Sequence, residues 1–191
     1  MRAQQRFLGL PHVPHPTTDA DHRPLDRLSF SRAARQQLQQ QLYLPGRLRG
    51  GLLFGAQVDG TLHVELATPM GLPWWYGTPD RSPLQIDERY ALGWSDCVQA
   101  LHGGRLDWVG NWLAHADSQL RDLRSDLTWL RRGARTALFD DRHVLLVIGW
   151  NDGSLSGRVY IHDFGEPVEL QCDLGGPPDR PGDPAFGPDG R

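Results

Sequence analysis

Two aspartate–glycine pairs set the strongest limits on how this chain can fold. Asp59-Gly60 joins "GGLLFGAQV" (50–58) to "TLHVELA" (61–67), and "NDGS" (151–154) joins "HVLLVIGW" (143–150) to "SGRVYIHD" (156–163). A two-residue hairpin turn needs positive φ at its centre, which Asp-Gly supplies, and its twist matches that of the flanking strands. Both stretches therefore read as β-hairpins. In the first, alternation puts Leu62, Val64 and Leu66 on one face and His63 and Glu65 on the other. "HVLLVIGW" is apolar almost throughout, as a strand buried on both faces is.

Three helical patterns interleave with these runs. "SRAARQQLQQQLYL" (31–44) offers Ser31 as N-cap and Ala34, Leu38 and Leu42 on one face, and Pro45-Gly46 ends it. "IDERYALGWSDCVQALHGG" (86–104) reads as a helix capped by Asp87 and stopped at Gly103-Gly104. "DLRSDLTWLRRG" (122–133) is a third, ended by Gly133, and "LDWVGNWLA" (106–114) before it is a strand. Cys97 and Cys172 form no disulfide framework or metal spacing and read as small buried or half-buried residues. The order is helix, hairpin, helix, strand, helix, hairpin, which predicts an α+β domain of three layers, a β-sheet flanked by helices.

The flanks differ in composition. Residues 1–27 predict a flexible N-terminal segment, with His12, His15 and His22 in a linker rather than a metal tract. Residues 28–174 form the domain, and 175–191, "GGPPDRPGDPAFGPDGR", a disordered Pro/Gly tail. The loop 68–83 carries Trp74, Trp75 and Tyr76, candidate binding residues, because aromatics in a Pro/Gly loop anchor interfaces at low entropic cost. The competing role for them is a lid over the core. A net charge of −3 gives no basic footprint for nucleic acid. No apolar run reaches the ~18 residues of a membrane span, and no signal peptide is evident, so the expected compartment is the cytoplasm. All 20 basic residues are Arg, which fits a GC-rich coding bias and is also compatible with a protein working near lysine-directed conjugation.

Three segments add a resemblance. "GGLLFG" (50–55), "VGNWLAH" (109–115) and Asp126 on the next helix resemble the JAB/MPN domain, the family of JAMM metallopeptidases and deubiquitinases, over roughly residues 28 to 163. Active members place a Glu three residues before the Gly of a G-x-L-x-G strand. They then have G-x-W-H-x-H at a strand end and, after a further seven residues, Ser-x-x-Asp. The resemblance implies a cytidine-deaminase-like fold and a zinc held by two His and the Asp. The Glu would deprotonate the fourth ligand, a water, and the Ser would support the oxyanion. Gly110, Trp112, His115 and Asp126 fall at the family positions, whereas the Glu, first His and Ser positions are Leu48, Leu113 and Leu123.

Three leucines at polar positions suggest a pocket refilled as core, since buried leucine stabilises by roughly 1.5–3 kcal/mol while unpaired polar ligands cost. They are expected to converge beside His115. This predicts a catalytically inactive JAB/MPN-like domain, a binding or scaffolding module with no cofactor. By the resemblance its partner is a ubiquitin-like protein or another MPN-type subunit, in a bacterial ubiquitin-like or peptidase-associated system. The alternative is a divergent zinc-dependent isopeptidase using the remnants His115 and Asp126, with a base such as Glu65. A register shifted by two residues would instead pair His115 with Asp117 as ligands.

Overall fold

A computed structural model describes residues 23–43, 49–69 and 87–174. Its elements in chain order are β1 (Arg27–Phe30), α1 (Arg32–Leu42), β2 (Arg49–Val58), β3 (Thr61–Pro69), α2 (Glu88–His102), β4 (Asp107–Gln119), α3 (Leu123–Arg135), β5 (Val144–Asn151), β6 (Ser154–Asp163) and β7 (Glu166–Asp173). The strands close into a seven-stranded barrel in the order β1-β3-β2-β4-β5-β6-β7, with β1 parallel to both β3 and β7. No described helix is long and apolar enough to cross a membrane.

This corrects the expectation of a three-layer, JAB/MPN-like sheet flanked by helices. The elements read from local pattern are in place. Both Asp-Gly hairpins form, and Ser31, Asp87 and Asp122 cap their helices through side-chain oxygens. What closes the barrel is β1 and β7, neither of which the sequence signals. β1 is only four residues, and β7, "EPVELQCD", mixes a Pro with acids. Their parallel pairing, Arg27 opposite Gln171, joins opposite ends of the domain and leaves no short-range pattern. α3 also runs two residues past the expected stop at Gly133. There the missing side chain serves packing, since a Cβ would stand 2.0 Å from the Phe139 ring.

Two apolar clusters follow from strand alternation. One draws residues from all seven strands, including Leu28, Leu53, Val64, Trp112, Leu146 and Val159, and so fills the barrel interior, joined by Ala34, Leu38 and Leu42 of α1. The other lies on the outer face of β2, β4, β5 and β6 under α2 and α3, with Phe54, Trp108, Leu113, Val147, Tyr160 and Leu130. The faces of β4 change parity at a bulge: Leu53 pairs with Gly110 and Phe54 with Trp108, leaving Val109 as the extra residue. Beyond it Trp112 and Ala114 point inward and Leu113 outward. Gly110 takes φ 150°, and a Cβ there would lie 2.2 Å from the Val144 carbonyl oxygen.

Cys97 is exposed, contrary to its reading as buried or half-buried, whereas Cys172 is half-buried, as read, and packs on the interior cluster. Burial pushes the Cys172 thiol up to about 12. Thiolate is the reacting form, so at pH 8 iodoacetamide is expected to alkylate Cys97 at least tenfold faster than Cys172. Peptide mass spectrometry over time checks this, and equal rates would contradict the packing of β7.

Candidate functional site

The residues singled out on β4 and α3 come together on the outer face. β4 bulges a second time, so that His115 to Ser118 stand between the pairings Ala114–Ile148 and Gln119–Trp150. Arg49 on β2 pins this bulge, its Nη2 donating to the His115 carbonyl at 3.1 Å and to Ser118 Oγ at 2.6 Å. Ser118 Oγ in turn donates to the Leu42 carbonyl at the end of α1 (2.8 Å). The irregular backbone thus holds the His115 ring beneath α3. His115 and Asp126 are both buried, with Nε2 and Oδ1 3.8 Å apart.

Asp126 sits in the first turn of α3, where the helix dipole favours a carboxylate. It is 0% exposed, and its charge has a partner that sequence reading missed: Arg158 Nη2 lies 2.7 Å from Oδ2. Tyr160 Oη donates to the same oxygen at 3.1 Å. Arg158 and Tyr160 alternate with the inward Val159 on β6, and Val147 and Leu145 of β5 lie opposite them. Burial first, then the Asp126 carboxylate, raises the Tyr160 phenol well above its ordinary value and keeps it a donor. Arg158 Nη2 also donates to the Arg121 carbonyl, tying β6 to the turn before α3. The available signal for these two residues was the alternation in "GRVYIH", which places Arg158 and Tyr160 on one face but cannot say what covers it.

Among the described residues, His115 Nε2 and Asp126 Oδ1 have no hydrogen-bond partner. A separation of 3.8 Å is too long for a hydrogen bond between them. Asn111, on the same strand and fully buried, leaves both side-chain polar atoms without a partner as well.

The zinc implied by the resemblance needs three protein ligands and an open fourth position. The residues here do not fit it. Leu113 is buried in the outer cluster at one ligand position. Asp126 has committed one oxygen to a guanidinium and a phenol, and no group of three His, Cys, Asp or Glu residues converges among the described residues. Glu65 is exposed, but strict alternation fails beside it. It is skipped at a bulge between the pairings Gly55–Val64 and Phe54–Leu66, so Leu66 packs on the outer cluster rather than with Leu62 and Val64. Both residues line an open groove of about 460 Å³ with His102 and Arg105.

The leucines do not converge as expected. Leu113 is buried, but Leu123 is 46% exposed because it is the first residue of α3, one position past the cap. Leu48 lies outside the described residues, as do Trp74, Trp75 and Tyr76. The shifted register is not assembled either. Asp117 is exposed and held below the usual carboxylate range, first by the Gln119 amide and then by Arg121, whose guanidinium is 3.2 Å away.

No protein-family model matches the chain, and no curated protein matches it. Among solved structures it is similar to protein DSY2949 from Desulfitobacterium hafniense, known from a solution structure. The two share 17% identity over 76% of this chain and 90% of that one, with a TM-score of 0.49.

Proposed function

We propose that this domain is a non-catalytic protein-binding or scaffolding module. The observation that supports this reading is the commitment of Asp126: its carboxylate is fully buried, ion-paired with Arg158 and hydrogen-bonded by Tyr160. A carboxylate meant to hold a catalytic metal keeps its oxygens for the ion, and outer partners orient it through the lone pairs left over. Here a guanidinium supplies the positive charge itself. With Leu113 beside His115 in place of a polar ligand, the cluster works as a polar staple between β4, β6 and α3. The partner is a protein, and ubiquitin-like proteins are the first class to test.

One observation favours the alternative, a zinc-dependent isopeptidase using His115 and Asp126: the two facing atoms without partners, His115 Nε2 and Asp126 Oδ1. Metal titration separates the two readings. Protein purified without a tag or chelator is expected to contain less than a tenth of an equivalent of zinc. Its melting temperature should stay unchanged when ten equivalents are added. A metal binding the folded state at a hundred times its Kd would raise the melting temperature by about 5–10 °C in a domain of this size. Such a rise, lost in His115→Ala, would overturn the non-catalytic reading.

A further inference from the structure

Three of the barrel's hairpins turn through the same two-residue geometry. The φ angles are 49° and 80° at Asp59-Gly60, 50° and 77° at Asp152-Gly153, and 45° and 91° at Phe164-Gly165. Asp suits the first position, because its short side chain tolerates positive φ, whereas a bulky aromatic there is strained. The third turn therefore places Phe where the same fold twice uses Asp. That phenylalanine is also 100% exposed. An exposed apolar residue is ordinary by itself. Local strain and full exposure together are two costs, and the isolated domain returns neither.

The surroundings of Phe164 indicate what it meets. Asp163 and Glu166 flank the turn, paired opposite each other, and neither forms an ion pair among the described residues. The complementary charge lies on α3. That helix carries Arg124, Arg131, Arg132 and Arg135, all exposed, against one acid, the buried Asp126. None of the four is ion-paired among the described residues, and Arg132 instead lies 5.4 Å from the centre of the Trp129 ring. Leu123 and the half-buried Leu127, spaced i and i+4, form an apolar row that leads to Arg131. In a chain whose net charge is only −3, this is a strong segregation of sign.

We propose that the β6–β7 tip docks on α3 of a second copy of this chain. Phe164 packs on the Leu123–Leu127 row, and the tip acids face Arg131 and Arg135. The contact is heterologous, tip to helix, so each copy presents one donor and one acceptor surface. It is independent of what the Asp126 cluster holds, and zinc content would not move it.

Sedimentation velocity from 2 to about 200 µM tests it. The wild-type chain is expected to associate in 50 mM salt, and to do so more weakly at 500 mM, where exposed charges are screened. Phe164→Asn, which gives the turn the favoured Asn-Gly without adding charge, should weaken association at least tenfold. Measured at 2 µM, its melting temperature should rise by about 2–4 °C. A merely structural role for Phe164 predicts the opposite sign. The double variant Arg131→Glu/Arg135→Glu should also be monomeric. An equimolar mixture of the two variants should recover association, because each retains the surface the other lacks. A wild-type chain that stays monomeric at 200 µM in low salt, a Phe164→Asn protein that associates normally, or a mixture that remains monomeric would each overturn the proposal.

Discussion

Replacing Arg158 by Met is expected to destabilise the domain by about 3 kcal/mol, and adding Asp126→Leu is expected to restore most of that loss. The asymmetry follows from burial. Asp126 is 0% exposed, so removing the guanidinium at 2.7 Å leaves a fully buried carboxylate whose nearest remaining basic group is the His115 imidazole, 3.8 Å away. Breaking one side of a buried pair typically costs about 3–5 kcal/mol, and the 24% exposure of the Arg158 side chain places this case at the lower end. Replacing both partners by apolar groups removes the uncompensated charge, as does the exchange of a buried ion pair for packed hydrophobic residues. What remains is the Tyr160 hydroxyl, which loses its acceptor at a cost of about 1 kcal/mol. The double variant should therefore lie within about 1 kcal/mol of wild type. Since Asp126→Leu alone also costs at least the ~1 kcal/mol of the lost Tyr160 acceptor, the coupling between the two sites should be about 3 kcal/mol or more. Urea unfolding followed by tryptophan fluorescence measures wild type, Arg158→Met, Asp126→Leu and the double variant. If Arg158→Met costs under 1 kcal/mol and the two effects simply add, Asp126 has another counter-charge. An ion between it and His115 would then be the first candidate.

A larger loss is expected from the smallest possible change, Gly51→Ala. A Cβ there would stand 1.6 Å from the Thr68 carbonyl oxygen and 2.3 Å from Trp112 Nε1. Gly51 lies opposite Trp112 on one side and Pro69 on the other. The fully buried indole reaches across β2 at this residue to donate to the Thr68 carbonyl at 2.8 Å. Neither obstacle can give way: one is backbone of a paired strand, and the other is an aromatic ring fixed by a buried hydrogen bond. The variant should lose at least about 4 kcal/mol or fail to fold. Gly93→Ala is the control. That residue sits on α2 with nothing within 4 Å of the added carbon, and the change should gain up to about 1 kcal/mol of helix propensity. Thermal melts of the two proteins decide it, and a Gly51→Ala protein as stable as wild type would contradict the β2–β4 register.

The same geometry explains why part of the sequence reading succeeded and part did not. Hairpins, caps and helix faces depend on neighbours within a few residues, and Asp59-Gly60, Ser31 and Asp87 declared themselves. Barrel closure depends on Arg27 meeting Gln171, and nothing near either residue specifies it. Gly51, Gly110 and Trp112 were read as marks of a metallopeptidase motif, yet each has a packing task in this barrel: clearance for an indole, a bulge against Val144, and a buried donor for Thr68. A motif of that kind reports how a strand is packed before it reports chemistry. At the site, His115 Nε2 and Asp126 Oδ1 lie 3.8 Å apart, but spacing along the chain could not supply Arg158, which arrives from β6. Leu113 was legible as core. Leu123 was not, because its exposure depends on where α3 begins, and Asp122 rather than Leu123 takes the cap.

The ring of strands is completed by its shortest member. β1 has four residues, and both of its neighbours, β3 and β7, run parallel to it. During synthesis β7 is the last of the seven strands to emerge, so the seam cannot form until the rest of the barrel has been made. Until then β1 and β6, the strands that β7 will join, present open hydrogen-bonding edges of the kind that recruit other chains. Pairings between such distant segments are formed slowly, since loop closure must precede any gain from the contact. Vulnerability to misassembly is thus concentrated in the interval before β7 meets β1 and the ring is sealed.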